Sequence, residues 1–115
     1  MRVLVCGGRD YQRFNHVCNT LDELHGEAGK IQTVIHGGAK GADDLADTWA
    51  RQNHVERLIY EADWATHGNA AGPIRNQEMI DEGKPDIVVA FPGGRGTADM
   101  VRRAKAAGIE VREIP

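Results

Sequence analysis

Asp86-Ile87-Val88-Val89-Ala90-Phe91-Pro92-Gly93-Gly94-Arg95-Gly96-Thr97 is the stretch that decides the fold. Its first half is a continuous apolar run with β-branched residues, the pattern of a strand buried on both faces. Its second half stops that strand with a proline and three glycines. A helix carrying Met100, Val101 and Ala104 is predicted next, ending at Gly108. The same unit appears upstream. Val3–Cys6 ends at Gly7-Gly8, and Ile31–Ile35 ends at His36-Gly37-Gly38-Ala39-Lys40-Gly41. Between these runs, Phe14, Val17, Leu21 and Leu24 recur at the spacing of one helix face, within a helix predicted from Tyr11 to about His25 and stopped by Gly26 and Gly29. Leu45, Ala46, Trp49 and Ala50 mark a second helix beginning near Ala42.

Val55–Tyr60 reads as a third strand and Ile109–Ile114 as the last. The segment from Glu61 to Gly72 reads as a loop, and Pro73 opens a short helix with Ile74, Met79 and Ile80. The chain is therefore a strand–helix unit repeated four times with a closing strand. That alternation predicts an α/β fold, a three-layer α/β/α domain with a five-stranded, mostly parallel sheet, formed by residues 1–115 as a single unit. Right-handed crossovers then place every strand-to-helix loop on one edge of the sheet.

Net charge is −3 and the pI is near 5.9, so no overall basic field exists and direct nucleic-acid binding is not expected. No stretch approaches the ~20 apolar residues of a membrane span, and the short apolar run at the N-terminus does not make a signal peptide. A cytoplasmic location is expected, without membrane contact. Cys6 and Cys18 show no metal-ligand spacing and read as two reduced, buried thiols. Neither a metal nor a resident cofactor is expected.

Of 14 glycines, those at the strand exits carry the chemistry. Glycine lets backbone approach a ligand closely, and the following helix offers unpaired N–H groups and a positive dipole end suited to phosphate. The loops Gly7-Gly8-Arg9-Asp10, His36–Gly41 and Pro92–Thr97 are thus predicted to meet as one anion-binding rim. Neither the Walker pattern nor the Gly-x-Gly-x-x-Gly fingerprint is present. Arg9 suits a phosphate or an ion pair with Asp10. His36 faces a ligand or braces loop backbone. Asp43 suits ribose hydroxyls or the first turn of a helix. Trp64, read as lying on a loop, is the candidate for stacking on a base, whereas Trp49 reads as core. Arg75 and Asn76 sit where they line the site or end a solvated helix. Lys40 and Arg95 are loop cations.

The sequence resembles a known superfamily at these places. Gly7-Gly8-Arg9-Asp10, the HGGAKGAD of residues 36–43, the ADW of 62–64, the HGNAAGPIRN of 67–76 and the FPGGRGTADM of 91–100 look like the Rossmann-like, SLOG-like nucleotide-binding group. That group includes the lonely-guy phosphoribohydrolases and DNA-processing protein A, and the likeness here is to its small YspA-type branch. The resemblance spans essentially the whole chain. It implies a phosphorylated nucleoside or nucleotide-derived ligand held by Gly7, Gly8, Arg9, Asp10, His36, Gly37, Gly38, Gly41, Asp43, Trp64, Arg75, Asn76, Pro92, Gly93, Gly94, Gly96 and Thr97, in a sensor or binding domain. It also implies homodimerisation. The alternative is a nucleotide N-glycosidase related to the phosphoribohydrolases. There an arginine on the helix before the PGGxGT strand and a glutamate three residues after its threonine act at the sugar. Arg75 matches the arginine, but Met100 holds the glutamate's position. Asp99 is the carboxylate beside it, turned away by about 100° on a helix, and Asp43 and Asp10 are the other carboxylates available to act with Arg75.

Overall fold

The computed structural model describes residues 1–27 and 29–115. Five strands, β1 (Arg2–Cys6), β2 (Thr33–His36), β3 (Glu56–Ile59), β4 (Ile87–Ala90) and β5 (Glu110–Glu113), form one sheet in the order β3-β2-β1-β4-β5. Every pairing is parallel, as the α/β reading requires. The central strands are apolar on both faces because both faces are covered. Val3 and Val5 of β1 point into one core layer with Val34, Val17, Leu21, Leu24, Trp49 and Phe91. Leu4 and Cys6 point into the other with Ile35, Val88, Met79, Ile80 and Met100.

Helices α1 (Phe14–Glu27) and α2 (Ala42–Gln52) cover the first layer. Helices α4 (Ala71–Asp81) and α5 (Arg95–Ala106) cover the second. Gly26, expected to stop the first helix, lies inside its last turn. Trp49 is core, as expected, with its indole N–H donating to Asp22 at 2.8 Å.

The stretch read as a loop before Pro73 is helical. A four-residue helix α3 (Trp64–His67) begins where Asp63 accepts from the Thr66 N–H at 3.1 Å. A 3₁₀ turn (Gly68–Ala70) follows, and α4 starts at Ala71. Pro73 thus falls within the first turn of α4, where an N–H has no intrahelical partner to lose. No described helix is long and apolar enough to cross a membrane.

Two consequences of the strand order position the site. The chain builds outward from β1 to β2 and β3, then crosses back to lay β4 on the other side of β1. The loops leaving β1 and β4 therefore part to opposite faces of the sheet and leave a crevice at the carboxyl edge, where open α/β sheets hold ligands.

Candidate functional site

The crevice is a cleft of about 1270 Å³ between the loops after β1 and β4, floored by Val5 and Cys6 and walled by α4. From the first loop come Gly7, Gly8, Arg9 and Asp10; from the fourth, Pro92, Gly93, Gly94, Arg95, Gly96 and Thr97. Asp43, Trp64, Arg75, Asn76 and Asp99 also line it. The structure does not bring His36, Gly37, Gly38 or Gly41 to the cleft wall.

Those four residues brace the site from behind. His36 is 2% exposed; its Nε2–H donates to Asp47 at 2.8 Å and its Nδ1 accepts from the Gly38 N–H at 3.0 Å. Asp43 Oδ2 accepts from the N–H groups of Gly37 (3.1 Å) and Ala39 (3.2 Å). The Gly37, Gly38 and Ala39 amides of this loop, expected to cradle an anion, are already met by the protein's own side chains. The loop follows β2, one strand away from the crevice, and those three amides need no ligand to satisfy them. Gly41, at φ 79°, belongs to the same brace: a Cβ there would collide with the Gly8 carbonyl oxygen. Asp47, which also accepts from Arg57 at 3.0 Å and Arg51 at 2.9 Å, was not singled out in the sequence. Burial works to raise its pKa, but the hydrogen bonds from His36 and Arg57 prevail and hold it below the usual carboxylate range.

The fourth loop is different. Gly94 is the N-cap of α5, no side chain caps that helix, and its first turn carries no acidic residue. Among the described residues, nothing in the protein accepts from the N–H groups of Arg95, Gly96 and Thr97. The positions of a Cβ on Gly94 and on Gly96 are open space. Bare amides, the positive end of a helix and room for a ligand atom therefore coincide on the cleft wall.

Arg75 enters from α4. Its Nη1 donates to the carbonyls of Gly37 (2.7 Å) and Tyr60 (3.3 Å), and its Nε donates to Asn76 Oδ1 at 3.2 Å. None of these partners is a carboxylate, so a half-buried guanidinium is positioned by neutral acceptors and keeps its charge for the cleft. Burial lowers its pKa from the ordinary arginine value, Asp43 opposes that shift and Arg9 adds to it. Asn76, 4% exposed, ties α4 to the fourth loop by donating to the Gly96 carbonyl (3.2 Å) and to Asp99 Oδ2 (3.0 Å).

Asp43 is buried, and that burial raises its pKa against two backbone hydrogen bonds that pull it down. Asp99 is committed elsewhere: it accepts from Asn76, from Arg103 at 2.8 Å and from Arg102. Burial favours its neutral form, yet the bonds from Arg103 and Asn76 hold its pKa below the usual value. Met100, at the position of the phosphoribohydrolase glutamate, is fully buried in the core. An Asp99 that accepts from three donors and has its pKa held down by them is a poor proton carrier, which leaves the hydrolase alternative without a free carboxylate on α5.

Trp64 is 49% exposed on the first turn of α3 rather than on a loop. The Arg9 guanidinium lies over its ring, 5.7 Å from the centroid. Both cysteines are free; Cys6 is buried, with burial pushing its thiol up to about 12, whereas Cys18 is only partly covered. Among the described residues no group of three His, Cys, Asp or Glu side chains gathers to hold a metal ion.

Comparison with known proteins agrees with this architecture. The family model described as YspA, cpYpsA-related SLOG matches residues 1–67. The Gene 61 protein of Mycobacterium phage D29 is 45% identical over 118 residues, covering 96% of this chain and 93% of the phage protein. Among solved structures, DNA processing protein A from Streptococcus pneumoniae superposes with a TM-score of 0.79 at 20% identity, over 99% of this chain and 50% of its own. Glycinamide ribonucleotide transformylase 1 from Symbiobacterium toebii superposes with a TM-score of 0.50 at 19% identity, over 83% of this chain and 42% of its own. The chain thus spans half or less of these solved structures, and at such identities the likeness is one of fold.

Proposed function

Because the chain belongs to the YspA, cpYpsA-related SLOG family, we propose that it is a binding or sensing domain for a phosphorylated nucleoside or nucleotide-derived ligand. The observation that carries this reading is the uncapped N-terminus of α5, where the Arg95, Gly96 and Thr97 amides have no acceptor among the described residues and the cleft is open beside Gly94 and Gly96. A phosphate there accepts those N–H groups and meets the helix dipole. Arg75, with no carboxylate partner among its hydrogen bonds, supplies a positive charge from α4 in the same cleft. Sensing rather than turnover fits the engagement of Asp99 and the burial of Met100.

Isothermal titration against nucleoside mono- and diphosphates, cyclic nucleotides and ADP-ribose derivatives tests the proposal. At least one phosphorylated compound is expected to bind, and Arg75→Ala is expected to weaken it about tenfold or more, the scale of a lost charge-assisted hydrogen bond. Absence of binding across the panel counts against the reading. Release of free base on long incubation would instead restore the hydrolase alternative.

A further inference from the structure

Trp64 lines the same cleft as the anion site and packs beside the first turn of α4. A methyl placed on Gly72 would sit 3.4 Å from Trp64 Cη2, and Asn76, four residues on, holds the Gly96 carbonyl at 3.2 Å. Four residues of α-helix advance about 6 Å. An exposed indole and a set of bare amides therefore line one cleft, linked through α4. The indole face is already occupied by Arg9. Inserting a base would require two stacking intervals of about 3.4 Å each, more than the 5.7 Å between the guanidinium and the ring centroid. Arg9 must leave that face before a base can stack on it.

Resting on the phosphate-binding reading above, we propose that Trp64 is the platform for the base of a nucleoside monophosphate whose phosphate sits at α5. Arg9 is a placeholder on that platform which the base displaces. The ligand is then a compound with one sugar between phosphate and ring, and the base contributes to affinity through Trp64. An exposed cation–π contact is weak enough to exchange for a base stack. Trp49, buried and hydrogen-bonded to Asp22, gives a constant fluorescence background.

The test compares the 5′-monophosphates of adenosine, guanosine, cytidine and uridine with ribose 5-phosphate, by calorimetry and by tryptophan emission. The best nucleotide is expected to bind about 5- to 150-fold more tightly than ribose 5-phosphate, the range of base–aromatic stacking, and to quench emission that Trp64→Phe removes. Trp64→Ala, at an exposed position, is expected to bring that ratio close to one without weakening ribose 5-phosphate. Arg9→Ala is expected to leave the ratio undiminished, whatever it does to both affinities together. Equal affinity of the wild-type protein for nucleotide and sugar phosphate, or an unchanged ratio in Trp64→Ala, overturns the platform while leaving phosphate binding intact. A ratio that collapses in Arg9→Ala overturns the placeholder. If none of the five compounds binds, this proposal is overturned, and titration with the diphosphates, cyclic nucleotides and ADP-ribose derivatives decides the function on which it rests.

Discussion

Gly93 and Gly96 stand three residues apart in one loop, yet a methyl group added to each meets opposite surroundings. On Gly93 it would overlap Thr97 Oγ1 and come within 2.7 Å of the Gly8 nitrogen. On Gly96 it would meet nothing within 4 Å. Gly93→Ala is therefore expected to destabilise the protein by about 1–3 kcal/mol, seen as a fall in Tm of roughly 5 °C or more. Gly96→Ala, inside α5, is expected to raise stability by about 0.5 kcal/mol through helix propensity. In ligand titrations the same substitution is expected to lower affinity about tenfold, because its methyl enters the space proposed for the phosphate. The sequence made these glycines conspicuous, but it did not separate those that let loops pack from those that leave room for a ligand. Gly7, Gly8, Gly41 and Gly93 are of the first kind, and Gly94 and Gly96 of the second.

At the level of elements, α4 is the part of the site that sequence patterning described least well. Gly68 and Ala70-Ala71-Gly72 looked like loop punctuation, yet Asp63 caps one short helix there and α4 already begins at Ala71, two residues before the Pro73 expected in its first turn. Local composition did not reveal this, because helix starts tolerate the residues that helix interiors reject. What α4 does is carried by Asn76, whose amide joins Arg75, Gly96 and Asp99. Asn76→Ala leaves the Gly96 carbonyl and Arg75 Nε without those partners in a largely buried position. A loss of about 1–3 kcal/mol is expected from the midpoint of urea unfolding. The same variant is expected to bind phosphate ligands more weakly, since it frees both the arginine and the loop that α4 aligns.

For the whole molecule, strand order decides which glycine loops become a site. The alternation of strands and helices, and hence a parallel three-layer sheet, was legible from apolar runs such as Val3–Cys6 and Ile87–Phe91. That β4 lies beside β1 was not, because nothing local to either strand records its neighbour; so the His36–Gly41 loop could not be told from the Pro92–Thr97 loop. Its role as a brace gives the protein a pH signature. Asp47 and Asp99 have folded-state pKa values below their ordinary value. Their contribution to stability is present above the unfolded-state pKa of about 3.9 and is lost as pH falls through the folded values. Asp43 has the opposite sign: its pKa is raised by burial, so stability is lost as pH rises from the unfolded value through the folded one. Urea unfolding between pH 2.5 and 7 is expected to show a wild-type acid decline that Asp47→Asn and Asp99→Asn each reduce, at the cost of stability at neutral pH. Asp43→Asn keeps an oxygen for the Gly37 and Ala39 amides and removes a buried charge. It is expected to match or exceed the wild type at pH 7 while retaining the acid decline. Retention of the full decline in both Asp47→Asn and Asp99→Asn would show that neither carboxylate is held ionised by the partners described.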